Sequence, residues 1–316
     1  MTLTTVQLIH GITIHMINEI AIADLDCVYL SYDEPQKEKF WVDIKNSIPW
    51  AVRVDGVKGS DAAHKAAAAA STTDRFILID GDNLPDYSFF GLTLRLTNLT
   101  ENYVFRWKAK NVVNGLIYGN GGISCWTKDY VNNMRTHEVS DGRNETLVEF
   151  CFDPKYIPMY NCYSTTYPNG SPMQAWRAGF REGVKMCLDK GRKLDIEEFK
   201  KMLTWRNIEY LNIWHSIGAD VDNGWWTTYG ARYGTYKLML DPTWDYTEVQ
   251  SFDRLNEIFK YCMGLSPDQR REHFNSISAE LRDKLELPVI DMNAQQSDFW
   301  KKYYTQLHRN KGIMDV

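Results

Sequence analysis

An apolar run, Phe76–Ile79, leads directly into Asp80-Gly81-Asp82, and this junction limits the possible folds more than any other stretch of the chain. Four residues apolar on both faces suit a strand buried in a parallel sheet. Upstream lie two further β-rich runs, Cys27–Ser31 and Trp50–Val54, then Gly56, Gly59 and an alanine-rich stretch to Ala70 that opens at Ser60 or Asp61 as a natural N-cap. Strand, strand, helix and strand at these intervals predict a right-handed βαβ crossover. Ligands in such sheets bind beyond the carboxyl ends of the strands. The two acids stand at such an end.

The rest of the chain is consistent with one large soluble α/β protein. It has 316 residues, 44% hydrophobic and 24% charged, which excludes a wholly disordered chain. The net charge of −5 argues against a generally basic surface that coats nucleic acid, although a local basic patch is compatible with it. Six scattered cysteines form no C-x-x-C pair, so zinc ribbons and thioredoxin chemistry lack support and reduced, mostly buried thiols are expected. The first Lys or Arg is Lys37, so the uncharged Met1–Asn18 stretch lacks the basic start of a signal peptide, and Gln7, His10, His15 and Asn18 interrupt it as a spanning helix. These features predict no membrane partner and a cytoplasmic location.

Downstream, Tyr118–Ile123 is glycine-rich, a short helix is expected around Lys128–Met134, and Arg135–Asn144 is polar. Ser171-Pro172 opens a helix, with Ser as N-cap and Pro in the first turn. An aromatic block follows over Trp205–Tyr246, then charged helical stretches at Ser251–Leu285 and Asp298–His308. The expected organisation is a catalytic domain over residues 1–246, with a donor half at about 26–125 and an acceptor half at about 126–246, and a helical extension over 247–316.

The chemistry of the Asp80-Gly81-Asp82 triplet follows from its residue types. In an extended segment, residues two apart lie on one face about 6.6 Å apart. Two carboxylates so placed can share a hard divalent cation, and Mg²⁺ or Mn²⁺ completes its shell with substrate phosphate oxygens and water. Gly81 would let a ligand approach the backbone closely.

The run Val28-Tyr-Leu-Ser-Tyr-Asp-Glu-Pro35, the segment Ala51–Ser60, the alanine helix and the FILIDGD strand together resemble the nucleotide-sugar half of GT-A-type glycosyltransferases. More narrowly, the chain is similar to tailed-bacteriophage glycosyltransferases that decorate hydroxymethylated pyrimidines in viral DNA, over about Asp26 to Tyr236. The resemblance implies a Rossmann-like mixed sheet flanked by helices, with a helical C-terminal appendage. It also implies Mn²⁺ or Mg²⁺ at Asp80 and Asp82, a UDP-sugar donor, and modified DNA as acceptor in a host cytoplasm. A polysaccharide or lipid-linked acceptor, or a non-catalytic carbohydrate-binding protein, is the alternative.

On individual residues, the resemblance implies that Ser31, Asp33 and Glu34 contact uridine or ribose. Arg53, Lys58, His64 and Lys65 would offset the pyrophosphate charge, which suits Arg and Lys. Gly121 and Gly122, in the Gly119–Gly122 run, would border the donor sugar, and His215 would be a third metal ligand. Where inverting relatives carry an acidic base before a long helix, this chain has Asn169-Gly170-Ser171-Pro172-Met173-Gln174. Gln174 there fits a retaining enzyme, in which the leaving phosphate helps deprotonate the acceptor. A base could instead come from Glu138 or Asp141, or from Asp220 or Asp222. Arg177, Arg181 and Lys185 recur at helical spacing and read either as phosphate contacts or as a solvated stripe. Trp225, Trp226 and Tyr229 could stack on a flipped-out acceptor base, or form aromatic core beneath the C-terminal helices.

Overall fold

The computed structural model describes residues 6–9, 12–134, 155–189 and 191–314, with side chains placed for 18–119, 122–134, 155–189 and 191–308. Glu138, Asp141, the polar Arg135–Asn144 stretch and Cys151 lie outside the described residues.

The chain divides into two units. The first spans residues 1–110, 117–140 and 149–166, and the second takes 111–116, 141–148 and 167–316. The division falls near Thr166, so the expected boundary at 246 lies inside the second unit. The physical reason is a shared core: Trp176, Phe180, Tyr229 and Tyr233 pack in one cluster with Phe274, Ile277, Leu281 and Leu285. The helices after Pro172 bury their apolar faces against the C-terminal helices, which are therefore part of a domain and no appendage.

The first unit is α/β. Strands β1 (Val6–Ile9), β2 (Ile12–Ala21) and β7 (Thr93–Thr97) make a three-stranded sheet. A seven-stranded mixed sheet runs in the order β4 (Val52–Asp55), β3 (Asp26–Ser31), β5 (Arg75–Asp80), β9 (Ile117–Thr127), β8 (Val104–Asn111), β10 (Tyr156–Thr166) and β6 (Asn83–Pro85). Strand β3 pairs parallel with β4 and with β5, as the βαβ reading predicts, while β9 is antiparallel to β5 and β8. Helix α1 (Lys37–Ser47) links β3 to β4, and α2 (Ser60–Ala70) links β4 to β5. Helix α2 packs on β3, β4 and the short α3 (Lys128–Asn133). Val28, Phe76, Leu78, Val104 and Trp126 from the sheet enclose Ala67 and Ala68 of α2 and Val131 of α3. Small alanines let that helix lie close to the strands. The glycine-rich Tyr118–Ile123 run is part of continuous β9.

The second unit is helical: α4 (Pro172–Lys185), α5 (Ile196–Met202), α6 (Trp205–Ser216), α7 (Gly224–Leu240), α8 (Phe252–Gly264), α9 (Pro267–Leu285) and α10 (Ala294–Met314). Ser171 caps α4, its hydroxyl accepting from Gln174 N at 3.1 Å with Pro172 in the first turn, as the sequence predicts. The crossing of α4 and α7 is unusually close, because glycines face each other from both sides. A Cβ on Gly179 would stand 2.0 Å from the Thr227 carbonyl oxygen, and one on Gly183 2.2 Å from that of Ala231. Reciprocally, Gly230 would clash with Trp176 O at 2.1 Å and Gly234 with Phe180 O at 2.2 Å. Each helix contributes a G-x-x-x-G pair, and backbone meets backbone.

Candidate functional site

The carboxyl end of β5 gathers three acids of the first unit. Asp80 is the last residue of β5 and keeps an exposed face, whereas Gly81 and Asp82 turn the chain into β6. The pleat argument for Asp80 and Asp82 therefore does not apply, since the segment between them is a turn. Their charges nevertheless interact. Partial loss of hydration first, then the negative charges of Asp82 and Glu34, push the Asp80 carboxyl up to about 8 although part of its surface stays open to solvent. Among the described residues no cation pairs with Asp80, and no hydrogen bond reaches its carboxyl.

Neighbouring elements hold Asp82 and Glu34 in place. Asn83 Nδ2 donates to Asp82 Oδ1 at 2.7 Å, and Thr166 Oγ1 donates to Oδ2 at 3.2 Å. The antiparallel pairing of β6 with β10, Asn83 opposite Thr166, brings that hydroxyl into reach. Buried Asn83 in turn needs Gly122: a Cβ there would stand 2.1 Å from its Nδ2, and the φ of +74° also favours glycine. On the other side, buried Tyr29 donates its hydroxyl to the Gly81 carbonyl at 2.7 Å. The Glu34 carboxylate accepts from Tyr32 N at 2.7 Å, and burial, offset in part by that hydrogen bond and reinforced by the Asp82 and Asp33 charges, raises its pKa. Tyr29, Asn83, Thr166 and the structural role of Gly81 go beyond what the sequence discloses; Asn83 adjoins the acids, but Thr166 has no local signal.

Other sequence candidates of the first unit are drawn into salt-linked networks. Ser31 is buried and donates to Asp55 Oδ1 at 2.7 Å. Arg53 forks onto Glu38 at 2.8 and 2.7 Å, donates to Ser31 Oγ at 3.0 Å and pairs with Asp55 at 3.2 Å. Its charge is matched by two acids, which limits what it could lend to a diphosphate. Asp33 and Lys58 are exposed. Lys65 pairs with Asp61 at 2.7 Å, one turn back on α2. His64 is a structural imidazole: Nδ1 lies 2.7 Å from the Ser60 carbonyl, and the ring packs edge-on against Trp126 at 5.1 Å. Gly121 and Gly122 lie within β9, beside β5.

The candidates of the second unit find structural employment. His215 is completely buried, with Nε2 3.0 Å from Thr235 Oγ1, and burial first, then nearby Arg232, hold its pKa down to about 3. An imidazole sealed in a helical core does not serve a metal that must meet a solvent-borne diphosphate, so the expectation of a third ligand is corrected. Gln174 is buried and its amide closes the turn before α4, accepting from Gly170 N at 2.8 Å and donating to Tyr167 O at 3.4 Å. Arg177 and Arg181 stack on Phe252 of α8 at 4.1 and 5.3 Å, joining α4 to the C-terminal helices where a donor contact was expected. Tyr229 is wholly buried and its hydroxyl lies 2.6 Å from His273 Nδ1. Trp226 packs against Phe259 at 5.4 Å and carries Arg270 at 4.9 Å, and Trp225 lies tilted on Phe274 at 5.4 Å. Tyr229 belongs to the aromatic core of the alternative reading, so a base-stacking role for it is corrected, whereas Trp226 is half-buried and Trp225 keeps an exposed face. Among the described candidates for the base, Asp222 alone is exposed; its carbonyl accepts from Asn169 Nδ2 at 2.9 Å.

The donor set suits a hard dication only in part. Among the described residues no three His, Cys, Asp or Glu side chains are grouped to hold an ion by themselves. Two carboxylates fit an ion that takes its remaining oxygens from phosphate and water. No helix among the described residues is long and apolar enough to cross a membrane. Comparison with protein-family models, curated proteins and solved structures finds no match to this chain.

Proposed function

We propose that the protein is a metal-dependent glycosyltransferase of GT-A type, which transfers a sugar from a UDP-linked donor to a hydroxyl, with 5-hydroxymethylpyrimidine in phage DNA as the acceptor. The observation that carries this reading is the Asp80 carboxyl: exposed, unpaired among the described residues and crowded by Asp82 and Glu34 at the end of a βαβ strand. Clustered acids disfavour one another's ionisation, and a divalent ion relieves that repulsion. Asp82, oriented by Asn83 and Thr166, and Asp80 would hold Mn²⁺ or Mg²⁺ against the diphosphate. The ion would stabilise the charge that develops on the leaving group. Gly81 and Asp82 lie in a turn whose carbonyl Tyr29 fixes, so the acids meet the donor without rearranging.

Turnover of a donor without acceptor tests this reading. UDP-sugar with Mn²⁺ should slowly release UDP, and Asp82→Ala should abolish the release. A wild-type protein that neither binds UDP nor hydrolyses any nucleotide sugar overturns it.

A further inference from the structure

Strand β8 places Arg106, Lys108 and Lys110 on one face, where burial alternates with period two and these three positions remain half-exposed. Same-face side chains on a strand stand about 6.8 Å apart, so the row extends roughly 14 Å. Tyrosines of β10 lie beside it: the Arg106 guanidinium covers Tyr156 at 5.0 Å and the Lys108 ammonium covers Tyr160 at 5.3 Å. Tyr156 is buried and braces Arg106, whereas Tyr160 is 60% exposed. Arg106 and Lys110 pair with no carboxylate among the described residues, and Arg106 Nε is closed off from solvent without an acceptor. In a chain of net charge −5, a half-exposed row of cations beside an open aromatic ring suits an anionic, ring-bearing ligand.

Register ties this row to the acidic site. Leu78 of β5 and Arg106 of β8 both pair with Ser124 of β9, so they share a face, and Asp80 lies two residues beyond Leu78 on that same face. Trp107 and Ile79 both pair with Ile123; beyond that pair the β8–β9 register shifts and resumes with Ala109 opposite Tyr118, so Lys108 follows the last level that β5 and β8 share through β9. Two strand spacings, about 10 Å, separate β5 from β8. At Gly122, next to Ile123 on β9, the space a side chain would take is filled by Asn83, which also holds Asp82.

We propose that the Arg106–Lys108–Lys110 face with Tyr160 binds single-stranded nucleic acid, its phosphates on the three cations and a base on the Tyr160 ring. Phosphate contacts of this kind position a strand without reading it, and base–aromatic stacking tolerates any sequence. The binding itself stands apart from the transferase reading; only the delivery of the bound strand to Asp80 and Asp82 rests on that reading.

Fluorescence anisotropy of a labelled oligothymidine with the full chain, at 25 to 200 mM salt, tests the proposal. Three phosphate contacts on a single strand predict a log–log salt slope of about −2. The triple variant Arg106→Gln, Lys108→Gln, Lys110→Gln should bind at least roughly tenfold more weakly with a nearly flat salt dependence, and Lys110→Glu alone should weaken binding in the same direction. Tyr160→Ala should lose roughly tenfold, whereas Tyr160→Phe should retain affinity. The proposal is overturned by a wild type that does not saturate at 25 mM salt, or by variants that keep its slope. Equal binding of a heparin fragment with no effect of Tyr160→Ala also overturns it, because the ligand would then be a polyanion without bases. UDP–Mn²⁺ binding on the same samples separates the two readings: it survives if only the strip fails, and is lost while the oligonucleotide still binds if only the transferase fails.

Discussion

The carboxylate of Glu34 rests against the bare α-carbon of Gly81: a Cβ on that glycine would stand 2.5 Å from Glu34 Oε2. The glycine between the two aspartates thus makes room for a third acid from the β3–α1 loop. Gly81→Ala should drive the Glu34 side chain outward and break its hydrogen bond from Tyr32 N, a loss of about 1 kcal/mol. Glu34 is a flexible side chain, so the fold should survive. In the Glu34→Ala background the same substitution should cost almost nothing, and urea denaturation of the four proteins measures the coupling.

The raised pKa of Asp80 has a consequence for stability. Its folded value of about 8 lies above the ordinary 3.8 of an aspartate, so the folded chain holds a proton that the unfolded chain releases. The stability this contributes is complete below pH 4 and is lost as pH rises through 8. Asp80→Asn should therefore match the wild type near pH 4 and become progressively more stable than it towards pH 8 and above, as melting temperatures across that range would show. Equal pH profiles for the two proteins would contradict the crowding of these carboxylates.

The α4–α7 crossing admits no side chain. Gly183→Ala or Gly230→Ala would put a methyl about 2 Å from a backbone carbonyl of the partner helix, which only separation of the helices can relieve. A loss of about 3 kcal/mol is expected for either. Gly264→Ala, where nothing lies within 4 Å, is the control and should be neutral or slightly stabilising.

His215 acts in the opposite sense to Asp80. Its pKa of about 3 lies below the ordinary 6.5, so the unfolded chain binds a proton that the core refuses. The stability this contributes is complete above pH 6.5 and is lost as pH falls towards 3. His215→Asn should flatten that part of the stability profile and leave Mn²⁺ binding unchanged. Loss of Mn²⁺ binding in a folded His215→Asn protein would restore the histidine as a ligand.

Local signals were legible in the sequence and tertiary ones were not. The FILID strand and the Ser171–Pro172 helix start depend on period, capping and burial within a few residues, and each forms where those signals put it; the alanine helix also forms over Ser60–Ala70, but Gly59 is its N-cap and no side chain caps it, where the sequence predicts Ser60 or Asp61. What surrounds Arg177, Gln174, His215 and Tyr229 comes from residues 4 to 75 positions away: Phe252 for the arginine, Gly170 for the glutamine, Thr235 for the histidine, His273 for the tyrosine. A polar or aromatic residue that looks available along the chain is consumed once another helix covers it. The two G-x-x-x-G pairs were visible as spacing, yet only their opposition across one crossing gives them meaning. The second-unit boundary was misplaced for the same reason, because an aromatic block and charged helices look like separate regions until they share a core.

Calorimetric titration of UDP into the protein, with and without Mn²⁺, bears most directly on the assignment of Asp80 and Asp82. Wild-type protein should bind UDP in a Mn²⁺-dependent manner, and Asp80→Asn and Asp82→Asn should each weaken that binding at least tenfold while leaving the metal-free signal as it was. UDP binding that ignores Mn²⁺, or that both substitutions leave intact, would contradict the account.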